Sequence, residues 1–153
     1  MDYKQMLESA RGNIGPYCKA CPVCNGKRCK NQIPGPGAKG NGDVAIRNYD
    51  NWQEIRINMD TLCENVTPDT SVEIFGKKFD IPVFAGPVGA VKLHYGEKYT
   101  DEEYNDIIIS GAKDAGIAAF TGDGTNPAVM QAAAKAITKY EGCGVPTIKP
   151  WNI

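Results

Sequence analysis

The reading turns on Phe79-Asp80-Ile81-Pro82-Val83-Phe84-Ala85-Gly86-Pro87-Val88-Gly89-Ala90-Val91-Lys92-Leu93-His94-Tyr95-Gly96. Ile81 to Ala85 is a short apolar run bounded by Asp80 and by Gly86-Pro87, the pattern of a strand buried on both faces. Two glycines and a proline follow at once, so the chain turns where few side chains obstruct it. A buried parallel strand ending this way can offer bare backbone N–H groups to a flat or anionic ligand. An ordinary glycine turn is the alternative. If a ligand lies there, a side chain at Gly89 should cost ligand affinity more than stability.

Downstream the pattern is regular. Thr100 and Glu103 form a capping box for a helix from about Asp101 to Ala115, with Tyr104, Ile107, Ile108 and Ala112 on one face. Gly116 stops it. Ile117 to Thr121 is a second short apolar strand, ending in Gly122-Asp123-Gly124-Thr125. Asn126 caps a helix that has Pro127 at its first position and runs to about Tyr140. A third strand is expected from about Gly144 to Lys149. The order βαβαβ with tight loops implies a parallel sheet or barrel with right-handed crossovers.

Upstream, Thr70 to Asp80 reads as a hairpin with its turn near Gly76-Lys77. Arg47 to Leu62 reads as a helix and its exit, with Ile46, Trp52, Ile55 and Met59 as core contacts. Ile33 to Gly42, rich in glycine and proline, is a loop. Asp2 can cap a helix over about residues 3 to 11.

Between these lies Cys18-Lys19-Ala20-Cys21-Pro22-Val23-Cys24-Asn25-Gly26-Lys27-Arg28-Cys29, spaced C-x2-C-x2-C-x4-C. Four thiolates this close can converge on one centre, and thiolate is the soft ligand taken by zinc and by iron–sulfur clusters. Cys18, Cys21, Cys24 and Cys29 are therefore candidate metal ligands. Reduced, unligated cysteines are the alternative, and the spacing does not separate zinc from a cluster. Cys63 and Cys143 are expected to be packed as small apolar residues.

The chain has 153 residues, six cysteines and a formal net charge of -1. That balance gives no argument for nucleic acid or a membrane surface. No apolar run approaches the length of a membrane span, and the first residues lack the pattern of a signal peptide. The expected location is cytoplasmic, where thiols stay reduced.

From Arg47 to Trp151 the chain resembles the amino-terminal half of the FMN-dependent α-hydroxy-acid dehydrogenases, the glycolate oxidase and lactate oxidase group. The residues that carry this are Arg47-Asn48 followed by Trp52, then Asp69-Thr70-Ser71-Val72 with Ile74-Phe75-Gly76. Ile81-Pro82-Val83-Phe84-Ala85-Gly86-Pro87-Val88-Gly89 follows, and Ala115-Gly116 also fits. A bacterial branch of α-hydroxy-acid oxidising proteins with a Cys-rich amino-terminal segment is most similar. The resemblance implies an α/β fold: about three βα units of a TIM (β/α)8 barrel over residues 46–153. Residues 1–45 would form a separate helix, Cys-rich metal segment and loop.

It further implies FMN at the carboxyl ends of the strands. Pro87, Val88 and Gly89 would line the isoalloxazine, and Gly122 and Asp123 would supply a polar flavin contact. Thr147 and Lys149 fall near the family's flavin-contacting polar residues. Lys149 is either a cation near the flavin N1/C2 edge or a surface lysine at a strand end. The implied activity is oxidation of a small 2-hydroxy acid.

A (β/α)8 barrel needs eight strands and typically ~250 residues, so the family's catalytic histidine, its neighbouring arginine and the phosphate site are expected outside this chain. No catalytic residue is assigned within it, and His94 reads as structural or solvated. The chain alone is expected to be inactive and to form a homo-oligomer or associate with the missing half of the barrel. The alternatives are an FMN barrel like type 2 isopentenyl-diphosphate isomerase, a non-enzymatic metal module, and one subunit of a split barrel.

Overall fold

The structure is a computed structural model that describes residues 1–14, 18–29 and 43–150. The chain forms two compact units. One comprises residues 1–65 with His94–Lys98, and the other residues 66–93 with 99–153.

In the first unit α1 spans Tyr3–Asn13. Asp2 caps it in a full capping box: its side chain accepts from Gln5 N–H while the Gln5 side chain accepts from Asp2 N–H. Helix α2 spans Val44–Glu54, beginning and ending earlier than the sequence pattern suggests. Residues beyond it form no helix or strand up to the hairpin. The expected core contacts are not made: Trp52 is 71% exposed, Ile55 60% and Met59 81%, and Ile46 is half-buried. Cys63 is also exposed rather than packed. The Ile33–Gly42 loop lies outside the described residues.

The second unit opens with an antiparallel hairpin, β1 (Val72–Ile74) against β2 (Lys77–Phe79). Its two turn residues, Phe75 and Gly76, both have positive φ (52° and 72°). That is the mirror-image turn whose twist matches the flanking strands. The expected turn position thus shifts by one residue.

Next comes β3 (Phe84–Ala85), then the five-residue helix α3 (Val91–Tyr95), of which Val91–Leu93 count with this unit and His94 and Tyr95 with the other. Helix α4 (Asp101–Asp114) carries the expected Thr100–Glu103 capping box. Strand β4 (Ala118–Ala119) follows, then α5 (Pro127–Lys139), where Asn126 accepts from Ala128 N–H and proline begins the helix.

Strands β3 and β4 pair in parallel, Phe84 with Ala118 and Ala85 with Ala119. The third strand is represented by one parallel bridge, Phe120 to Val145, so the expected strand over 144–149 is cut short. The physical reason lies on the facing side: after Thr121 the chain turns to pack Gly122 against Val88 and Gly89, so β4 no longer runs alongside the third segment where Thr147 would be the next donor. The expected burial of β3 on both faces also fails, since Val83 and Phe84 are each 54% exposed.

The core lies on the other face of the sheet. Ile109 and Ala112 of α4, Ala119 of β4 and Ala136 of α5 are buried together, with Ile108, Ile117, Ile137 and Cys143 packed against them. The expected stop at Gly116 holds, and Gly142 follows α5 in the same way: their φ are 66° and 73°, a conformation glycine adopts without steric cost. The observed class is a mixed α/β arrangement of parallel strands backed by helices. Among the described residues no helix is long and apolar enough to cross a membrane.

Candidate functional site

Because β3 and β4 are parallel, their carboxyl ends open at the same side, and the loops Gly86–Ala90 and Gly122–Thr125 meet there. The contact is backbone on backbone. A Cβ at Gly122 would sit 2.0 Å from Gly89 N and 2.1 Å from Val88 C. A Cβ at Gly89 would sit 2.6 Å from Asp123 O and 2.8 Å from Asp123 N. Neither position tolerates a side chain while the loops keep this spacing, because real Cβ atoms do not approach backbone so closely.

This changes the expected role of Gly89. Its missing side chain first makes room for the Asp123 backbone, so stability should suffer at least as much as ligand affinity. The two short strands supply the reason: with so little ladder, the loops are brought into register by direct contact.

The mouth has donors to offer. Among the described residues, the backbone N–H groups of Val88 and Gly89 donate to no protein acceptor, and both residues are half-buried. Unpaired, partly desolvated N–H groups on a turn are what a flat heteroaromatic ring with ring nitrogens and carbonyls requires. The Asp123 carboxylate lies beside them. Its Oδ1 accepts from Gly124 N–H at 2.8 Å and its Oδ2 from Lys149 N–H at 2.7 Å. Thr147 is half-buried, and Pro87 and Lys149 are exposed. The residues expected at a flavin site therefore gather at one end of the sheet: Pro87, Val88 and Gly89 on the first loop, Gly122 and Asp123 on the second, Lys149 tied to Asp123. Thr147 lies between Val145 and Lys149 on the third segment. Below them the rings of Phe84 and Phe120 stack at a tilt, centroids 4.9 Å apart, on the sheet face opposite the helices.

The arrangement fits FMN as far as the ring is concerned. Bare backbone donors and a carboxylate lie together where the two loops meet. The sequence model of the FMN-dependent dehydrogenases matches residues 36–142. The chain belongs to the FMN-dependent dehydrogenase family. The match includes both loops of the mouth. No curated protein and no solved structure matches the chain. As a member of the FMN-dependent dehydrogenase family, the chain is implied to bind FMN.

In the amino-terminal unit the cysteine loop is ordered by its neighbours. Tyr3 Oη donates to Pro22 O at 3.0 Å and Arg11 Nη2 to Ala20 O at 3.2 Å. Ala20 adopts a φ of 43° and its N–H points at Cys18 Sγ, 3.5 Å away. Gly26, at φ 72°, is buried so closely against Ala45 and Ile46 that a Cβ there would lie 2.8 Å from their backbone. Tyr95 belongs to this unit. Burial, and then the nearby Cys18 and Cys24 thiols, push its phenol above the ordinary tyrosine value.

The four sulfurs nevertheless do not close into a cage. Among the described residues, no group of three or more His, Cys, Asp or Glu is arranged to hold a metal ion. Cys24 is exposed while Cys18, Cys21 and Cys29 are half-buried. The Cys29 thiol is instead turned toward Gly26 O at 3.8 Å.

Two features escape sequence reasoning. One is the glycine-to-glycine seam at the mouth, which depends on a long-range register. The other is the double use of Asp123. The Gly-Asp-Gly triplet announces a turn in which a short carboxylate bonds its own backbone, but not the reach to Lys149.

Proposed function

We propose that this chain is the flavin-ring-binding, amino-terminal part of an FMN-dependent oxidoreductase that oxidises a small 2-hydroxy acid. Residues 46–153 would be the first βα units of a TIM barrel, and residues 1–45 a separate segment. The observation that carries the reading is the seam between the Val88–Gly89 and Gly122–Asp123 backbones at the carboxyl ends of parallel strands. Ligands of such sheets lie at that end.

FMN, when bound, supplies the redox chemistry. The chain's own residues bind and orient the ring. Val88 and Gly89 N–H donate to ring acceptors, Pro87 and Gly122 let backbone approach its plane, and Thr147 and Lys149 border its polar edge. A lysine ammonium there favours negative charge on the ring. No residue of this chain is assigned as the proton acceptor. His94 belongs with the amino-terminal unit.

Titration of the purified protein with FMN, followed by visible absorption, tests the reading. Saturable binding with a perturbed flavin spectrum, perturbed again by lactate or glycolate but not by propionate, supports it. A folded protein that leaves the FMN spectrum unchanged refutes it. A response to an isoprenoid diphosphate instead would point to an isomerase like the type 2 isopentenyl-diphosphate enzymes.

Two further proposals accompany it. Cys18, Cys21, Cys24 and Cys29 would take zinc or an iron–sulfur cluster once their side chains reorient in a loop already held by Tyr3, Arg11 and Gly26. The Ala20 N–H aimed at Cys18 Sγ is the kind of outer hydrogen bond that orients a metal-ligating sulfur, and reduced thiols are in keeping with a reducing cytoplasm. Elemental analysis of anaerobically purified protein should find about one centre per chain; neither metal, with all four thiols freely alkylated, refutes this. The exposed Val83, Phe84 and Ile148 support self-association or pairing with the rest of a barrel. Sedimentation would show a concentration-dependent mass, and a stable monomer at all concentrations would exclude self-association.

A further inference from the structure

At the mouth the second and third strand ends lie close, yet no ladder joins them there. The last pairing is Phe120 with Val145, made by Val145 N–H to Ala119 O at 2.8 Å and Thr121 N–H to Val145 O at 3.0 Å. In a parallel ladder every second residue faces the same neighbour, so Thr147 and then Lys149 would be the next donors. On the facing side the chain has turned away at Gly122 to meet Val88 and Gly89. Four residues after Val145 the third segment is caught again, by a side chain. Lys149 N–H donates to Asp123 Oδ2, while Asp123 Oδ1 holds Gly124 N–H. One carboxylate thus joins two backbone segments that the sheet leaves unjoined. Hydrogen bonds to an ionised acceptor are shorter and stronger than neutral ones.

We propose that Asp123 is a positioning residue: a side-chain substitute for the missing strand carbonyl, fixing the Lys149 end of the third segment against the Gly89–Gly122 seam. This rests on the flavin reading above only for what is positioned, namely the backbone and lysine that border the ring. It departs from that reading in one respect, since each carboxylate oxygen already holds a protein amide and the residue's work is on the protein side of the mouth.

Asp123→Asn tests this in the full chain. An amide has one acceptor oxygen and one donor NH2, so whichever way it turns, one of the two backbone N–H groups faces another donor. Hydrogen exchange followed by NMR should rise roughly tenfold at Lys149 or Gly124, with Val145 and Thr121 unchanged as internal references. The FMN dissociation constant should rise by a similar factor, the loss of one charge-assisted hydrogen bond. Lys149→Pro removes the donor and leaves Asp123 intact, so it should weaken FMN binding roughly tenfold beyond Lys149→Ala, which loses the same ammonium but keeps the N–H. It also carries the test if Asp123→Asn fails to fold. Lys149→Ala keeps the N–H and should retain amide protection at position 149.

Unchanged exchange at both amides in Asp123→Asn overturns the strut. Raised exchange with unchanged FMN affinity overturns its positioning role. A parent protein that binds no FMN, while Asp123→Asn still deprotects Lys149, overturns the flavin reading and with it that role, and the strut alone stands.

Discussion

Gly122→Ala is the sharpest test of the seam. The added Cβ would lie 2.0 Å from Gly89 N, 2.1 Å from Val88 C and 2.3 Å from Val88 O. Ordinary contact begins at about 3.4 Å, so the two loops would have to part by roughly 1.4 Å. All three obstructing atoms are backbone, so no rotamer change relieves them. Overpacking typically costs about 1–3 kcal/mol, and this substitution should sit at or above the top of that range. At about 3 kcal/mol the melting temperature falls by roughly 6–12 °C for a domain of this size. Gly86→Ala, where nothing lies within 4 Å, and Gly124→Ala, whose nearest neighbour is Val129 Cγ2 at 3.4 Å, are the controls. Urea unfolding of the three variants and the parent gives the comparison. If Gly122→Ala unfolds within about 0.5 kcal/mol of the Gly86→Ala control, the size of an ordinary surface substitution, the loops do not touch as described.

Other expectations concern the frame behind the mouth. Ile109 is fully buried, so Ile109→Ala should cost about 2–5 kcal/mol by denaturant unfolding. Removing the cap of α5 with Asn126→Ala should cost about 1 kcal/mol, read the same way. Asp106 is held below the ordinary aspartate value, first by its hydrogen bond to Lys139 and then by that and other neighbouring charges. A carboxylate with a lowered pKa adds stability above its unfolded value and loses it as pH falls through the folded one. The loss therefore belongs below pH 3.8. NMR titration of Lys139→Ala should show the Asp106 midpoint moving up toward that ordinary value, and an unmoved midpoint would mean that the pair is not formed in solution.

The helices were legible because their signals are local. The Thr100–Glu103 box, Asn126-Pro127 and the glycines at 116 and 142 each announce an end within a few residues, and the structure places α4 and α5 there. The strands were legible in order and direction but not in length. Ile81–Ala85 and Gly144–Lys149 have the composition of strands, yet ladder length depends on partners elsewhere, and β4 leaves the sheet at Gly122 to meet the other loop. The stretch after α2 was misread for a related reason. Ile55 and Met59 look like core residues, and they remain exposed because apolar character calls for a cover without naming one. At the mouth, glycine content marked the loops as open to a close neighbour, and only the fold shows that the first such neighbour is the other loop.

The core has a consequence for how this sequence can change over generations. Ala112, Ala118, Ala119, Ala133 and Ala136 are all buried; all five occur on α4, β4 and α5, and Ala112, Ala119 and Ala136 pack around Ile109. A seam of methyl groups brings helix close to sheet, so these positions admit neither a larger side chain nor, in the helices, a glycine without loss. Mutational drift is thereby channelled to the outer faces, where Lys135 with Glu102 and Lys139 with Asp106 join α4 to α5. Surface ion pairs contribute little each and can be exchanged with little harm. The outer surface of this unit is free to diversify while the spacing of helix and sheet, and so the alignment of the two loops, is inherited almost unchanged.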